Sequence, residues 1–232
     1  MRILGLITAR GGSKGIPGKN VKILGGQPLL SYVAKDGLSA KGIDRLILST
    51  DDDSIAKVAL AQGVEVPFMR PDYLAKDTTP SIEVVVHAIE TLEAQGDYFD
   101  AVCLLQPTSP FKPIGFIDDC IEEFKKSQAD CLISVQKVPH EFNPHWVFEE
   151  NKHGQLNIAT GESKLIPRRQ ELPTTFYRDG SVYVFIRDNP IVHKTLVHGN
   201  IAYKISDAKY YCNLDTLSDW ERAERLAFIL GQ

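Results

Sequence analysis

Two rhythms of apolar positions run along the first part of this chain. Short continuous apolar runs, the pattern of strands buried on both faces of a parallel sheet, fall at residues 3–7, 43–49, 64–68, 101–105 and 131–135. Between them apolar residues recur at helical spacing. One helix opens at Pro28-Leu29-Leu30, and a second carries Ile55, Val58, Ala59 and Gln62 on one stripe and stops at Gly63. A third carries Ile82, Val85, Val86 and Ile89 and runs to about Ala94, and a fourth carries Ile114, Ile117, Ile121 and Phe124. This alternation predicts an α/β domain with a doubly wound, mainly parallel sheet and right-handed crossovers. Ligands of such sheets lie beyond the carboxyl ends of the strands. The pattern brings three loops there: the one after residue 8, the stretch 78–81 and the stretch 106–109.

The rhythm stops near Gln136. Residues 137–177 contain Pro139, Pro144, Pro167 and Pro173, two histidines near Trp146, and only short alternating segments such as Trp146-Val147-Phe148. The expected organisation is an α/β domain from residues 1–136 and 178–232, with 137–177 as an inserted arm too small to bury a core of its own. An arm of that kind finds its core on a partner subunit, so a homodimer is expected. A flap closing over the chain's own site is the competing reading. Beyond the arm, residues 180–186 read as a strand returning to the main sheet, 201–205 as a shorter strand and 210–215 as a final strand. Thr216 then caps a helix with Asp219 at the capping-box position and Leu217, Trp220, Leu226 and Ile229 on the apolar face.

Composition narrows the classes. With 232 residues, 43% hydrophobic and 24% charged, the chain has an ordinary globular make-up. A net charge of −4 argues against a nucleic-acid surface. No apolar run approaches the ~18 residues of a membrane span, and the N-terminus enters a strand without a signal-peptide pattern. Cys103, Cys120, Cys131 and Cys212 form no C-x-x-C pair. Reduced thiols and a cytoplasmic location are therefore expected.

The chemistry concentrates in the loop after the first strand, where Gly11, Gly12, Gly15 and Gly18 are interleaved with Arg10, Lys14 and Lys19. Glycines let backbone N–H groups converge on a ligand, and cations neutralise phosphates, so the loop reads as a phosphate cradle. It is not a Walker A loop: Lys19 is followed by Asn20, and Ser13 stands where the first glycine belongs. Gly12-Ser13-Lys14-Gly15 supplies only half of a dinucleotide fingerprint. Asp51, Asp52 and Asp53 suit the start of a helix and are not read as metal ligands.

Taken together, several segments resemble the acylneuraminate cytidylyltransferases, the CMP-sialic acid synthetases. They are Ala9-Arg10-Gly11-Gly12-Ser13-Lys14-Gly15 with Lys19-Asn20, Ser49-Thr50-Asp51, Arg70-Pro71 with Leu74-Ala75 and Asp77-Thr78, and Leu105-Gln106-Pro107-Thr108-Ser109-Pro110. The C-terminal matches are Arg169-Gln170-Glu171-Leu172-Pro173, Gly180-Ser181-Val182-Tyr183 and Leu214-Asp215-Thr216. The resemblance spans the chain in the family's order and implies a Rossmann-like nucleotidyltransferase.

The resemblance implies that the anomeric hydroxyl of a sialic-acid-like nonulosonic acid attacks the α-phosphate of CTP, giving a CMP-sugar and pyrophosphate. Such transfer asks mainly for positioning and charge neutralisation. Arg10, Ser13, Lys14 and Lys19 are expected to hold the triphosphate, with Asn20 in the nucleotide site. Arg70, Thr79 and Ser81 are expected to read cytosine; a surface ion pair with Asp72 or Asp77 is the competing reading of Arg70. Gln106, Thr108, Arg169 and Tyr183 fall on the sugar side. Arg169 is the candidate for bidentate pairing with the substrate carboxylate, from its own subunit or from the partner's arm. Asp215 is the expected Mg²⁺ or Mn²⁺ ligand; its other reading is a residue favourable to the dipole of the helix after it.

Two departures stand out. Asp179, beside Arg178, replaces a common asparagine, which bears on recognition of the sugar's substituents. Asn213 replaces the first of two metal-motif aspartates. A nucleotidyltransferase for another sugar or sugar 1-phosphate, or a nucleotide-binding protein without catalysis, are the alternatives, and the sequence does not separate N-acetylneuraminic, legionaminic, pseudaminic or deaminated acids as substrate.

Overall fold

In the computed structural model, which describes residues 1–231, the apolar runs become a six-stranded sheet. Its strands are β1 (Ile3–Thr8), β4 (Arg45–Ser49), β5 (Ala101–Leu105), β6 (Cys131–Lys137), β9 (Phe176–Ile186) and β10 (Ile201–Ile205). Two small hairpins supply β2 (Ile23–Leu24) with β3 (Gln27–Pro28), and β7 (Phe148–Glu150) with β8 (Leu156–Ile158). The sheet order is β10-β6-β9-β5-β1-β4. Every pairing is parallel except those of β9, which runs antiparallel between β5 and β6.

The helices are α1 (Leu29–Ser39), α2 (Asp53–Gln62), α3 (Ser81–Ala94), α4 (Phe116–Ser127), the short α5 (Asp188–Ile191) and α6 (Leu217–Leu230). Strand alternation divides the core between two faces. Ile3, Ile7, Cys103 and Val184 pack with α1, α2 and α4; Leu4, Leu6, Leu104 and Phe185 pack with α3. A third apolar cluster, including Ile16, Leu29, Tyr32, Leu214 and Trp220, seats α6 against α1 and the loop after β1. No helix among the described residues is long and apolar enough to cross a membrane.

Several sequence expectations are corrected. Residues 64–68 form no strand: Glu65 makes one isolated parallel bridge to Ile47, and Met69 just beyond makes another to Thr50. Pro67 between them has no N–H to donate to a ladder. The fourth helix begins at Phe116 behind Gly115, leaving Ile114 fully exposed before it. On α6 the buried face is Trp220, Ala223 and Ala227, while Leu217 and Ile229 face solvent. Residues 210–215 are not a strand. A 3-10 turn at Ala208–Tyr210 leads into extended chain that crosses the carboxyl end of the sheet, where the Leu214 amide donates to the Thr108 carbonyl.

The arm leaves the sheet as a continuation of β6 and β9, whose last pair is Lys137 with Phe176, so Phe176 and Tyr177 belong to the sheet. Its regular structure is the β7–β8 hairpin, tied by Trp146 Nε1 donating to the Ile166 carbonyl at 2.8 Å. Asn143 is its buried polar anchor, donating to the carbonyl of Pro173 and to Thr175 Oγ1. Phe142, Phe148, Leu156 and Leu165 remain exposed.

Candidate active site

The loop after β1 is held at both ends by polar contacts to its own backbone. Asn20, buried, donates from Nδ2 to the Arg10 carbonyl at 3.0 Å, and the Gly11 amide donates to Asp51 Oδ1 at 3.1 Å. Gly15 passes so close to the C-terminal segment that a Cβ there would lie 2.1 Å from the Asp215 carbonyl oxygen, so any side chain would displace that segment. Lys19 Nζ donates to the Leu214 carbonyl at 2.7 Å. Burial lowers the pKa of this ammonium against the opposing pull of Asp215.

These contacts place Asp215 beside the basic loop by a route the strand reading missed. Its neighbour is also there: Asn213 Nδ2 donates to Asp215 Oδ2 at 2.6 Å. The capping box of α6 fixes the same segment, since Asp219 Oδ2 accepts from the Asp215 and Thr216 amides.

Arg70 is a buried structural cation on the cleft wall and not a surface ion pair. Its Nε donates to Ser49 Oγ at 3.0 Å and its terminal nitrogen to the Ser49 carbonyl at 2.5 Å. Burial pushes its pKa down to about 10, with Asp51 opposing. Asp77 instead pairs with the loop, reaching Arg10 and, at 2.5 Å, Lys14. That carboxylate sits where two cations expected to hold a triphosphate converge, whereas the sequence offered it only as a surface partner of Arg70 and as part of a matched segment.

Two adjoining clefts open at the carboxyl end of the sheet. The narrower, about 300 Å³, is walled by Arg10, Ser13, Lys19 and Asn20 on the loop side and by Arg70 and Thr79 opposite. The wider, about 460 Å³, is walled by Tyr183, Arg178, Asp179, Tyr211 and Asn213. Ser81, Gln106, Thr108 and Asp215 line both. Two expected site residues lie elsewhere. Lys14 projects into solvent at the mouth, 85% exposed, on its contact with Asp77. Arg169 lines a separate cavity in the arm with Lys137, His140 and Asn143, so within one chain it reaches neither cleft.

The turn carrying Gln106 and Thr108 is braced from below. Lys112, its side chain 1% exposed, donates to the Ser109 carbonyl at 2.6 Å and faces Asp36 at 3.9 Å. Burial lowers the Lys112 pKa and raises that of Asp36. Ser109 Oγ donates to the Asp179 carbonyl at 3.2 Å. The Asp179 carboxylate accepts from Ser134 Oγ, the Ser181 amide and Ser206 Oγ. Both of its oxygens are thus engaged inside the protein, and Asp179 acts as a tie between β6, β9 and the turn. A buried lysine three residues past Ser109 carries no sequence signal of its own.

With this geometry the chain can be compared with known proteins. A family model described as cytidylyltransferase matches residues 4–227. The chain is 30% identical to a pseudaminic acid cytidylyltransferase of Campylobacter jejuni over 97% of its own length and 96% of the relative's. It is 31% identical, with the same coverage, to a CMP-N,N'-diacetyllegionaminic acid synthase of Legionella pneumophila. Among solved structures it resembles a CMP:2-keto-3-deoxy-manno-octonic acid synthetase complexed with CTP, with a TM-score of 0.74 over 99% of this chain and all of that one. At 16% identity that likeness shows the fold alone. A glycine-rich basic loop locked against the C-terminal segment, matched by a family model over nearly all of its length, makes this chain a member of the cytidylyltransferase family.

Proposed function

We propose that this protein transfers CMP from CTP to the anomeric hydroxyl of a nonulosonic acid, releasing pyrophosphate. The observation that carries this reading is the shared wall of Ser81, Gln106, Thr108 and Asp215 between two clefts. One cleft is built for a nucleotide and the other for a polar partner, and their common rim is where the reacting atoms meet. The anomeric oxygen forms a bond to the α-phosphorus as the bond from that phosphorus to the bridging oxygen of pyrophosphate breaks. The hydroxyl proton leaves to water or to the departing pyrophosphate.

The residues divide the work. Arg10, Lys14, Lys19 and Ser13 hold the phosphates and neutralise charge that grows on the leaving group. Binding of the triphosphate takes Arg10 and Lys14 from Asp77. Arg70 is oriented by Ser49, and Thr79 and Ser81 face the same cleft for contacts to the base. Asn20 acts through the Arg10 carbonyl, shaping the loop. Gln106, Thr108 and Tyr183 orient the sugar.

Asp215 with Asn213 suits a hard divalent cation such as Mg²⁺ or Mn²⁺. Mg²⁺ takes one or two carboxylates and fills the rest of its shell with water and phosphate oxygens, and the Asp215 carboxylate at the shared wall, steadied by the Asn213 amide, can supply that one carboxylate. Bound there, the cation would add neutralising charge at the phosphates. The arm is proposed to dock on a second copy of the chain, carrying Arg169 toward the partner's cleft, and the working location is proposed to be the cytoplasm.

Pyrophosphate release with CTP, GTP, UTP and ATP, each against a set of nonulosonic acids and a set of hexose and heptose 1-phosphates, tests the reading. Turnover confined to CTP with one or more of the acids is expected. Turnover with a sugar 1-phosphate and with none of the acids would replace it.

A further inference from the structure

We propose that Arg178 is the guanidinium that binds the substrate carboxylate, supplied by the same subunit whose wider cleft it lines. The inference rests on reading that cleft as the sugar-acid subsite.

Arg178 and Tyr183 are five positions apart, a spacing that in a regular strand sends the two side chains to opposite faces. The register of β9 changes this. Tyr183 stands opposite Ile133 and Arg178 opposite Val135, with the irregularity between them. Ile133 and Val135 are two apart on one strand, so their side chains share a face, and so do those of their partners. The extra residues of β9 are taken up around Gly180, whose φ of +79° is open to glycine. Bulges of this kind re-aim a side chain beside a site. Here the bulge turns Arg178 into the cleft that Tyr183 already lines.

The electrostatics agree. Arg178 is the single cation among the described lining residues of that cleft. Arg2, Arg10, Arg45, Arg168, Arg187 and Arg222 each meet a carboxylate; Arg70, Arg169, Arg178 and Arg225 form no ion pair among the described residues, and of these four Arg178 alone lines the wider cleft. The carboxylates of Asp179 and Asp215 line the same cleft, but neither forms an ion pair with Arg178: Asp179 spends both oxygens on Ser134, Ser181 and Ser206, and Asp215 accepts from Asn213. Burial raises the Tyr183 pKa while Arg178 draws it down, which sets the guanidinium near the phenol. A 2-keto acid is ionised at neutral pH, and a carboxylate leaving water needs a cation with paired donors. An arginine without a carboxylate partner, beside a phenol donor, meets that need, while Arg169 lines a different cavity of this chain.

The test compares the wild-type enzyme with Arg178→Gln, Arg178→Lys and Arg169→Lys, on a nonulosonic acid and on its C1 carboxamide. Arg178→Gln should raise the KM for the acid at least about tenfold and shift the KM for CTP less than about twofold, as loss of one charged hydrogen-bond pair predicts. Arg178→Lys should recover part of the loss. The preference for acid over amide should collapse in Arg178→Gln and persist in Arg169→Lys. Retained preference in Arg178→Gln, or a shift in the CTP KM alone, overturns the assignment while leaving the function standing. Absence of wild-type turnover with every acid tested overturns the function, and the assignment with it. CTP-induced thermal stabilisation of each variant reports that it is folded.

Discussion

Lys14 shows how little exposure says about role. Its side chain is 85% exposed, yet its ammonium is drawn to the Asp77 carboxylate that also holds Arg10. Loss of a group that meets charge developing on the phosphates costs about 2–4 kcal/mol of transition-state stabilisation. Lys14→Ala should therefore lower kcat/KM by roughly 30-fold or more. A change under about threefold would make Lys14 a solvated loop cation paired only with Asp77. Asp215 is tested in the same way. Asp215→Asn should cut activity at least about 100-fold if its carboxylate holds a neutralising metal. Asn213→Asp should lower the metal concentration for half-maximal rate and tighten Mn²⁺ binding measured by electron paramagnetic resonance. Full activity of Asp215→Asn at low Mg²⁺ would leave Asp215 as a helix-terminus residue. Residues whose chemistry is local, such as the cations and glycines of the first loop, were legible in the sequence. The pairing of Asp77 with Arg10 and Lys14, the bracing by Lys112 and the aim of Arg178 were not, because the first two join residues more than 60 apart and the third depends on a register that no linear pattern encodes.

At the scale of elements, the sequence read best where one period persists. α2 is capped by Asp52 and closed by Gly63, and α6 has the Thr216–Asp219 capping box, each as its local chemistry requires. Readings failed where a short apolar run lacked a place in the sheet. Residues 64–68 contain Pro67, and the edge beside β4 receives from them only the bridge at Glu65. Residues 210–215 look β-prone, but the sheet already ends at β10 and β4, and the segment serves the cleft instead. The α6 cap has a measurable pH signature. Bonds from Thr216 hold the Asp219 carboxyl below its usual pKa. A carboxyl depressed in the folded state contributes stability above the unfolded value near 3.9, and that contribution is lost as pH falls through the folded value. Asp219→Ala should thus cost about 1 kcal/mol at pH 7 in denaturant unfolding, and the difference should vanish at acid pH. An undiminished difference below about pH 2 would show that the cap does not depend on ionisation.

At the scale of the molecule, the arm is where large apolar side chains stay exposed. Phe142, Phe148, Leu156 and Leu165 are exposed on it, and Ile201, Tyr203 and Ile205 line one face of the edge strand β10. Light scattering of the native protein should give twice the chain mass; a monomer would turn the arm into a flap over its own cleft. The doubly wound sheet was legible because strand and helix periods alternate, and the carboxyl-end rule pointed to the end of the sheet where the two clefts open. The antiparallel β9, which positions Tyr183 and Arg178, was legible as a strand but not in its direction, since the insertion that precedes it hides how the chain returns.

The central claim is that the two clefts join an acid's anomeric oxygen to the α-phosphate of CTP across one wall. Phosphorus NMR of the enzyme with CTP, a divalent metal and a nonulosonic acid tests it most directly, run in parallel with the methyl glycoside of the same acid. The free acid should yield one phosphodiester resonance and one equivalent of pyrophosphate, and the methyl glycoside neither. Pyrophosphate formed equally from both, or a phosphodiester from neither, would contradict the account.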